Sequence, residues 1–264
     1  SNNTMNHNNY WIYFNITSNS TIANNTVISG SATMWIYIKH GQHNSITNNI
    51  ITNNTIWMAL DTTDANTFTN NTINSNAVYW LSIGYTSSGN VFNGDTISSN
   101  ATTNVYIFNS SQYNQFISTN IQSSAIGIQM DSSNYNTFSG VNVANNTSGT
   151  KLSLSSNNTL KLTNNTNGIW LYGWSNNNTI LNTQILGQNN ISIINGSNNV
   201  IMGWLFAATS TTSTSVNINL KNGWTTTVNY TLGWSWLSGA YIWTLWASST
   251  LSLPITLTAG NGAQ

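Results

Sequence analysis

A short pattern of polar and apolar positions recurs along most of this 264-residue chain. Its clearest copy runs from Asn66 to Ile73: an Asn lies two residues before a large apolar residue, and a second apolar residue follows five positions later. The copies begin at nine anchor positions, which are Ser20, Asn44, Asn66, Asn90, Asn114, Asn136, Asn158, Asn178 and Asn199. A fixed period near 22 residues is typical of solenoid proteins, and it outweighs any local estimate of secondary structure.

Each repeat predicts three short strands rather than a helix. Asn, Ser, Thr and Gly fill the repeats, and apolar residues do not recur at helical spacing. One predicted strand surrounds the apolar anchor, a second surrounds the apolar residue five positions later, and a longer third follows, as at 57–60, 78–83 and 105–108. The pattern therefore predicts an all-β fold over residues 1–206: a parallel β-helix of about nine coils, each hydrogen-bonded to its neighbours about 4.8 Å away.

The polar and aromatic anchors predict two internal columns. Asn tolerates left-handed backbone angles at tight turns, and amides repeated once per coil can bond to each other along the axis as a ladder. Phe92, Phe116 and Phe138 occupy equivalent positions, which predicts an internal aromatic stack.

Phrases of the form Asn-x-(Phe/Ile)-x-x-Asn-x-(Ile/Val) resemble the parallel β-helix repeats of NosD-like and carbohydrate-acting solenoid proteins. The resemblance covers approximately residues 18–206 and implies a right-handed β-helix. It does not fix a function, because this architecture carries lyases, hydrolases, adhesins, phage tailspikes and structural proteins.

The period ends near residue 207, which predicts a separate C-terminal unit over residues 207–264. After a low-complexity stretch at 207–215, four strands are predicted at 216–220, 225–236, 241–247 and 251–258, with Pro254 suited to an edge strand. A four-stranded sheet this aromatic needs a partner to cover it. Its predicted assembly surface consists of Trp234, Trp236, Trp243 and Trp246.

The amino-acid composition limits which ligands and reactions the chain can support. The chain has four Lys, four Asp, no Arg, no Glu and a net charge of zero, so it has no basic patch to neutralise the phosphates of a nucleic acid. Glycoside cleavage needs two carboxyl groups facing one bond. The sequence predicts no such pair among its four carboxylates, which are Asp61, Asp64, Asp95 and Asp131. No Ser/His/Asp set or phosphate loop occurs either. The sequence therefore predicts no catalytic residues and no cofactor. A metal site of His40, His43 and Asp64 is conceivable, but the spacing fixes no third strong ligand, so exposed turn residues are the favoured interpretation.

One exposed aromatic stripe is predicted in the early coils. Trp35, Trp57 and Trp80 each lie three residues before the last inward residue of the long strand, an odd offset that places them on the outer face. Contact with another protein, shielding by a loop or glycan, and a platform for sugar rings all remain open for this stripe. Lys39 and Asp61 are expected to face each other across one coil.

Secretion and glycosylation are expected. The chain has no cysteine and no apolar run long enough to cross a bilayer. Its start is interpreted as that of a mature secreted product or of a fragment. Asn-x-Ser/Thr sequons recur near turns. The sequons predicted as glycan acceptors are Asn15, Asn24, Asn53, Asn70, Asn100, Asn109, Asn145, Asn157, Asn164, Asn177, Asn190 and Asn229.

These features favour a secreted, non-enzymatic structural protein of the cell surface, such as a filament, surface-layer or adhesin subunit. Its expected partners are copies of itself or other surface proteins. The alternative is a carbohydrate-binding or polysaccharide-acting β-solenoid that uses the Trp stripe. A flat recognition surface of Thr and Asn is a third hypothesis, weakened by the absence of a regular Thr-x-Thr repeat.

Overall fold

The computed structural model has no helix among the residues it describes, and every described element is a strand. These residues are 4–6, 12–28, 36–52, 58–74, 79–98, 102–181, 183–186, 190–194, 196, 199–204, 206–207, 214–221, 226–234, 237–247 and 253–259. No helix long and apolar enough to cross a membrane occurs within them.

One sheet contains the longer third strand of each repeat. Its strands are β2 (Ile12–Asn15), β5 (Ile36–Lys39), β8 (Met58–Asp61), β11 (Tyr79–Gly84), β14 (Thr103–Phe108), β17 (Ile126–Asp131), β19 (Ser148–Ser153), β21 (Ile169–Tyr172), β24 (Asn190–Ile194), β27 (Thr214–Lys221) and β30 (Leu253–Ala259). We call it the long-strand sheet. Its strands pair in parallel from β2 to β27, each with the equivalent strand of the next turn.

The short strands of each repeat form the other wall. They are β1 (Thr4–Asn6), β3 (Thr21–Ala23), β4 (Thr26–Ile28), β6 (Ser45–Thr47), β7 (Ile50–Thr52), β9 (Thr67–Thr69), β10 (Thr72–Asn74), β12 (Val91–Asn93), β13 (Thr96–Ser98), β15 (Gln115–Ile117), β16 (Asn120–Gln122), β18 (Thr137–Ala144), β20 (Thr159–Thr166), β22 (Thr179–Leu181), β23 (Gln184–Leu186), β25 (Val200–Trp204), β26 (Phe206–Ala207), β28 (Thr226–Trp234) and β29 (Leu237–Ala247). In β18 and β20 the first and second strands of a turn merge into one.

The fold is therefore the right-handed parallel β-solenoid that the sequence predicts, with a period near 22 residues and about seven turns rather than nine. The prediction of nine coils counted one coil for each anchor. In the structure, seven side-chain links join the eight Asn anchors from Asn44 to Asn199. At the N-terminal end Ser20 replaces the Asn and takes part only through its backbone N–H, which donates to Asn44 Oδ1.

Inside the solenoid the apolar anchors form continuous columns. Phe68, Phe92, Phe116 and Phe138 are all fully buried. Their rings stack at centroid distances of 4.5, 4.6 and 4.7 Å, close to the rise of one turn. The predicted aromatic stack is confirmed, and it begins one turn earlier than predicted, at Phe68.

The Asn anchors form the predicted ladder at one corner. Asn114 illustrates the pattern: its Oδ1 accepts hydrogen bonds from the backbone N–H and the Nδ2 of Asn90. Its Nδ2 donates to the Asn136 Oδ1 and to the Ser87 carbonyl. The amide thus satisfies backbone groups that a buried turn would otherwise leave unpaired.

A second ladder, five residues after the anchors, changes chemistry part-way along. Asn25, Asn49 and Asn71 bond to one another in the same manner. The next rung is Asp95, whose Oδ1 accepts from the Asn71 backbone N–H at 2.7 Å and from its Nδ2 at 2.9 Å. The sequence Asn93-Gly94-Asp95 is a turn signal, and the structure buries the carboxyl of Asp95 within this ladder.

The four C-terminal strands form as predicted but pair differently. β28 pairs in parallel with β25 and antiparallel with β29, whereas β27 pairs in parallel with β24 and antiparallel with β30. They extend both walls of the solenoid as two pairs, instead of forming one four-stranded sheet, because the edges of β24 and β25 offer backbone groups to pair with. Pro254 lies in the last strand of its sheet, β30, as an edge proline should. The division at residue 207 remains a prediction.

Candidate interaction face of the long-strand sheet

Much of the predicted aromatic surface cannot be compared with the structure. Trp35, Trp57 and Trp236 lie outside the described residues. The backbones of Trp80 in β11, Trp234 in β28, and Trp243 and Trp246 in β29 are described, but their side chains are not. The predicted Trp stripe and the C-terminal assembly surface therefore remain predictions.

The outer face of the long-strand sheet carries two rows of side chains, one residue per turn. The first row is Tyr13, Tyr37, Ala59, Ser82, Tyr106, Gln129, Lys151 and Trp170. The second row is Asn15, Lys39, Asp61, Gly84, Phe108, Asp131, Ser153 and Tyr172. Both rows carry an aromatic side chain on β14 and again on β21.

The first aromatic pair is Tyr106 and Phe108, two residues apart on β14. Their rings stack at 4.7 Å, and Tyr85 packs edge-on against Phe108 at 5.5 Å. The Phe108 ring covers Gly84 of the preceding turn so closely that a Cβ at position 84 would overlap it. A larger residue at position 84 would therefore force the Phe108 ring to move.

The second aromatic pair is Trp170 and Tyr172 on β21. The Lys151 ammonium lies 5.7 Å from the centre of the Trp170 ring, within cation–π distance. These three residues and Ser148 line a shallow cavity of about 370 Å³. Burial, followed by the nearby negative charge of Asp131, raises the pKa of Tyr172. Like any neutral tyrosine, its hydroxyl can donate a hydrogen bond.

Polar residues occupy the two turns between these aromatic pairs. Gln129 and Lys151 continue the first row, and Asp131 and Ser153 continue the second. Three strand spacings separate the pairs, or about 14 Å. Aromatic walls on either side of a polar floor suit a ligand with apolar faces and hydroxyl edges, such as a sugar chain. We call this surface the groove.

Toward the N-terminal end, the same face is occupied by internal contacts. Lys39 and Asp61 are adjacent in register, as predicted. The Asp61 carboxylate accepts hydrogen bonds from the Tyr37 hydroxyl at 2.6 Å and from the Thr62 hydroxyl at 2.9 Å. Burial, and then the hydrogen bond from Tyr37 to Asp61, raises the pKa of Tyr37. Tyr13 stacks on Tyr37 at 5.4 Å.

The four carboxylates lie in different surroundings. Asp61 and Asp131 share a row but are three turns apart, as the sequence predicts. Asp64 is exposed in the turn after β8, and Asp95 is buried in the second ladder. Over the described part of the chain, no three His or Asp side chains are grouped closely enough to hold a metal ion.

The sequons differ in accessibility. Asn157 and Asn164 are partly buried, and the Asn164 Nδ2 donates to Asn142. Asn53 and Asn100 lie outside the described residues, and so do the side chains of Asn190 and Asn229. Exposed side chains belong to Asn15, Asn24, Asn70, Asn109, Asn145 and Asn177. Glycan occupancy remains a prediction.

Comparison with known proteins identifies the family. The family model described as a right-handed beta helix region matches residues 36–185, which is more than half of the chain. The chain belongs to the right-handed β-helix family. No curated protein matches this β-helix protein.

Two solved structures align with this chain. "Geobacillus virus E2 - ORF18" aligns over 92% of this chain and 55% of its own length, at 12% identity and a TM-score of 0.56. The β-helix protein therefore spans little more than half of that chain. PfbA, a surface adhesin of Streptococcus pneumoniae, aligns over 82% of this chain and 69% of its own length, at 8% identity and a TM-score of 0.42.

Proposed function

We propose that this β-helix protein is a secreted, non-enzymatic structural protein of the cell surface that associates with further copies of itself. The solenoid would serve as a stiff shaft, since neighbouring turns are joined by strand pairing, by the buried Asn ladder and, from Phe68 to Phe138, by stacked rings. Stacked repeats of this kind keep their shape over long distances because each contacts only its neighbours.

The dispersion of the carboxylates is the observation that carries the proposal. Glycoside hydrolases hold two carboxyl groups about 5–9.5 Å apart across the bond they cleave. Asp61 and Asp131 are about 14 Å apart by strand spacing, and Asp95 is buried. Asp64 shares a turn with Asp61, but the Asp61 carboxylate is held by the Tyr37 and Thr62 hydroxyls.

The near absence of charge supports an extracellular setting. Only 3% of residues are charged, so few groups change ionisation when the pH of the surroundings changes. The exposed sequons offer positions where glycans could add solubility.

Surface labelling of intact cells from the native source tests this proposal. A membrane-impermeant amine reagent should label the Lys side chains of the protein before lysis, and intact mass should exceed the sequence mass by the attached glycans. Labelling only after lysis, together with the unmodified mass, would contradict a secreted surface protein.

Polysaccharide binding at the groove is the second candidate function. The cavity beside Lys151, Trp170 and Tyr172 favours it, because it combines an aromatic platform with a cation and hydroxyl donors. A glycan array should show a ligand whose binding falls at least about tenfold in Trp170→Ala, as expected for loss of a central aromatic contact. Tyr13→Ala, which removes an exposed aromatic on the same face seven turns from Trp170, is the matched control and should bind normally. Equal binding by Trp170→Ala would reject the groove as the site.

A further inference from the structure

One corner of the solenoid carries an apolar ridge that neither the sequence prediction nor the groove includes. This corner joins the long-strand sheet to the first short strand of the next repeat. Five successive turns each place one large apolar side chain there, about half exposed. These side chains, which we call the corner ridge, are Tyr85 (55% exposed), Tyr113 (52%), Tyr135 (45%), Leu154 (51%) and Trp174 (53%).

Every residue of the corner ridge has a left-handed backbone. The φ angles of Tyr85, Tyr113, Tyr135, Leu154 and Trp174 are +53°, +57°, +57°, +50° and +69°. This conformation is unfavourable for bulky L-residues and is normally occupied by Gly or Asn. Six of the eight exposed large apolar residues that the structure describes have a positive φ, the sixth being Ile16 at the same corner.

Equivalent positions show that the corner backbone does not need a bulky side chain. The position immediately before the anchor holds Tyr113 and Tyr135 in two turns, whereas other turns place Asn19, His43, Ala65, Gly89, Asn157 or Asn177 there, all with positive φ. Small or polar residues therefore suffice at this position. The Tyr rings stack on each other at 5.1 Å yet remain about half exposed. Unfavourable backbone angles retained for exposed side chains point to a role outside the chain.

We propose that the corner ridge is a lateral interface between two copies of this β-helix protein, packed side by side and antiparallel. The ridge extends over five turns, or about 19 Å along the axis. Tyr85 and Leu154 directly follow their long strands, whereas Tyr113 and Tyr135 directly precede their anchors. The ridge therefore has width as well as length, and a second antiparallel copy can cover it from end to end. Two-fold symmetry makes the ridge meet itself, with Tyr135, the third of the five, next to the axis.

The charge of the corner fits pairing with itself. The five segments that form it, residues 85–89, 109–113, 132–135, 154–157 and 173–177, contain no Lys, Asp or His. Two copies therefore meet without repulsion between like charges. Ser, Asn and Gln flank the apolar side chains and supply a polar rim of donors and acceptors, as in protein interfaces generally. This inference rests on the proposed self-association and assigns a surface to it.

Sedimentation of the full chain tests the interface. The wild-type protein should show a concentration-dependent equilibrium between monomer and dimer. In Tyr113→Asn/Tyr135→Asn the dimer dissociation constant should rise at least about tenfold, because two central aromatic contacts are lost. Asn suits the left-handed positions, so the double variant should melt no lower than wild type. Tyr13→Asn, which removes an equally exposed Tyr from outside the ridge, should dimerise normally.

A cross-linking experiment places the two-fold axis independently. The chain has no cysteine, so Tyr135→Cys carries a single thiol. An added mild oxidant should join two such thiols into a disulfide-linked dimer. Ile50→Cys, exposed on the short-strand wall, should remain monomeric.

Three results would overturn the proposal: a monomer at all concentrations, a dimer unaffected by the double substitution, or a monomeric protein whose ridge binds a polysaccharide instead. None of them bears on whether the protein reaches the cell surface, which the labelling experiment tests separately.

Discussion

At the scale of single residues, the anchor Asn is explained by its hydrogen-bonding capacity. Its side chain has two donors and an acceptor oxygen with two lone pairs, and the ladder uses all four. A hydroxyl or an apolar group could not do so. The sequence alone predicts this ladder because the requirement recurs in every turn.

Replacing one rung should therefore be costly. We expect Asn114→Ala to lower the free energy of unfolding by about 2–3 kcal/mol, because the buried Asn90 N–H would lose its partner and the Ser87 carbonyl would keep only its hydrogen bond from the Gln112 N–H. Denaturant unfolding measures the change. The matched control is Asn142→Ala in an outer, half-buried Asn column, where water can replace the lost bonds to Asn120 and Asn164. It should cost about 1 kcal/mol or less; equal losses would contradict the account.

Asp95 is the rung at which the second ladder is incomplete. Its Oδ2 is buried and has no hydrogen-bond partner. The Nδ2 of Asn71 at the equivalent position donates to the Ile46 carbonyl, so by register the carboxyl of Asp95 is directed toward the carbonyl of Phe68, the partner of Ile46. A protonated Oδ2 could donate there, but an ionised one cannot. Burial raises the pKa of Asp95 from 3.8 to about 6, against the opposing effect of its hydrogen bonds from Asn71.

This shift predicts how stability depends on pH. Well below pH 4 the carboxyl is protonated in both the folded and the unfolded state, and it imposes no penalty. As the pH rises through 4 to 6 the unfolded state releases its proton first, so the folded protein should lose about 3 kcal/mol, most of it by pH 7. Asp95→Asn should remove most of this loss and be more stable at pH 7. Identical pH profiles for the two proteins would contradict a buried, proton-dependent rung.

The position of Asp95 could have been found in the sequence. Asn25, Asn49 and Asn71 each lie five residues after an anchor, and Asp95 lies five after Asn90. The adjacent Asn93-Gly94 is a strong turn signal, and Gly94 does have a φ of +68°. The turn signal predicts only that the chain changes direction there. It does not show which side chain points inward, so the turn signal alone does not reveal that Asp95 belongs to the second ladder.

At the scale of strands, the Phe stack ties the turns together. Phe116 is fully buried between Phe92 and Phe138. Phe116→Ala should reduce the free energy of unfolding by about 3–5 kcal/mol, as for large-to-small core substitutions generally. Phe108→Ala, on the outer face, should cost clearly less. Thermal and denaturant unfolding of both variants provide the measurement, and a larger effect at Phe108 would mean that the faces are assigned wrongly.

Strand order was easier to predict than strand continuity. The three strands per turn follow from inward apolar positions, which every turn must fill. The merging of two strands in β18 does not follow, since it depends on Gly140, with a φ of +67°, and on a register shift beside it. At Asn165 the sequence correctly indicates a broken apolar slot. There the buried amide accepts from the Thr150 hydroxyl and donates to the Gly168 carbonyl.

At the scale of the whole molecule, the repeat predicts the axis but not the outer surface. Inward positions are constrained in every turn, so their period is visible. Outward positions such as Tyr106 and Trp170 need only be compatible with water, so they show no period. The register of β14, β17, β19 and β21 is what brings these two residues onto one surface. The groove and the corner ridge therefore emerge from the structure.

Distances between spin labels along one wall test the solenoid most directly. Thr21, Gln115, Thr137 and Thr159 occupy one outward column, at the first, fifth, sixth and seventh turns. With pairs of introduced cysteines, the backbone separation from position 21 should be about 19 Å to position 115, about 24 Å to 137 and about 29 Å to 159, a constant increment of about 4.8 Å per turn. A separation that stays constant or shrinks from 115 to 159 would contradict the stacked turns on which the account depends.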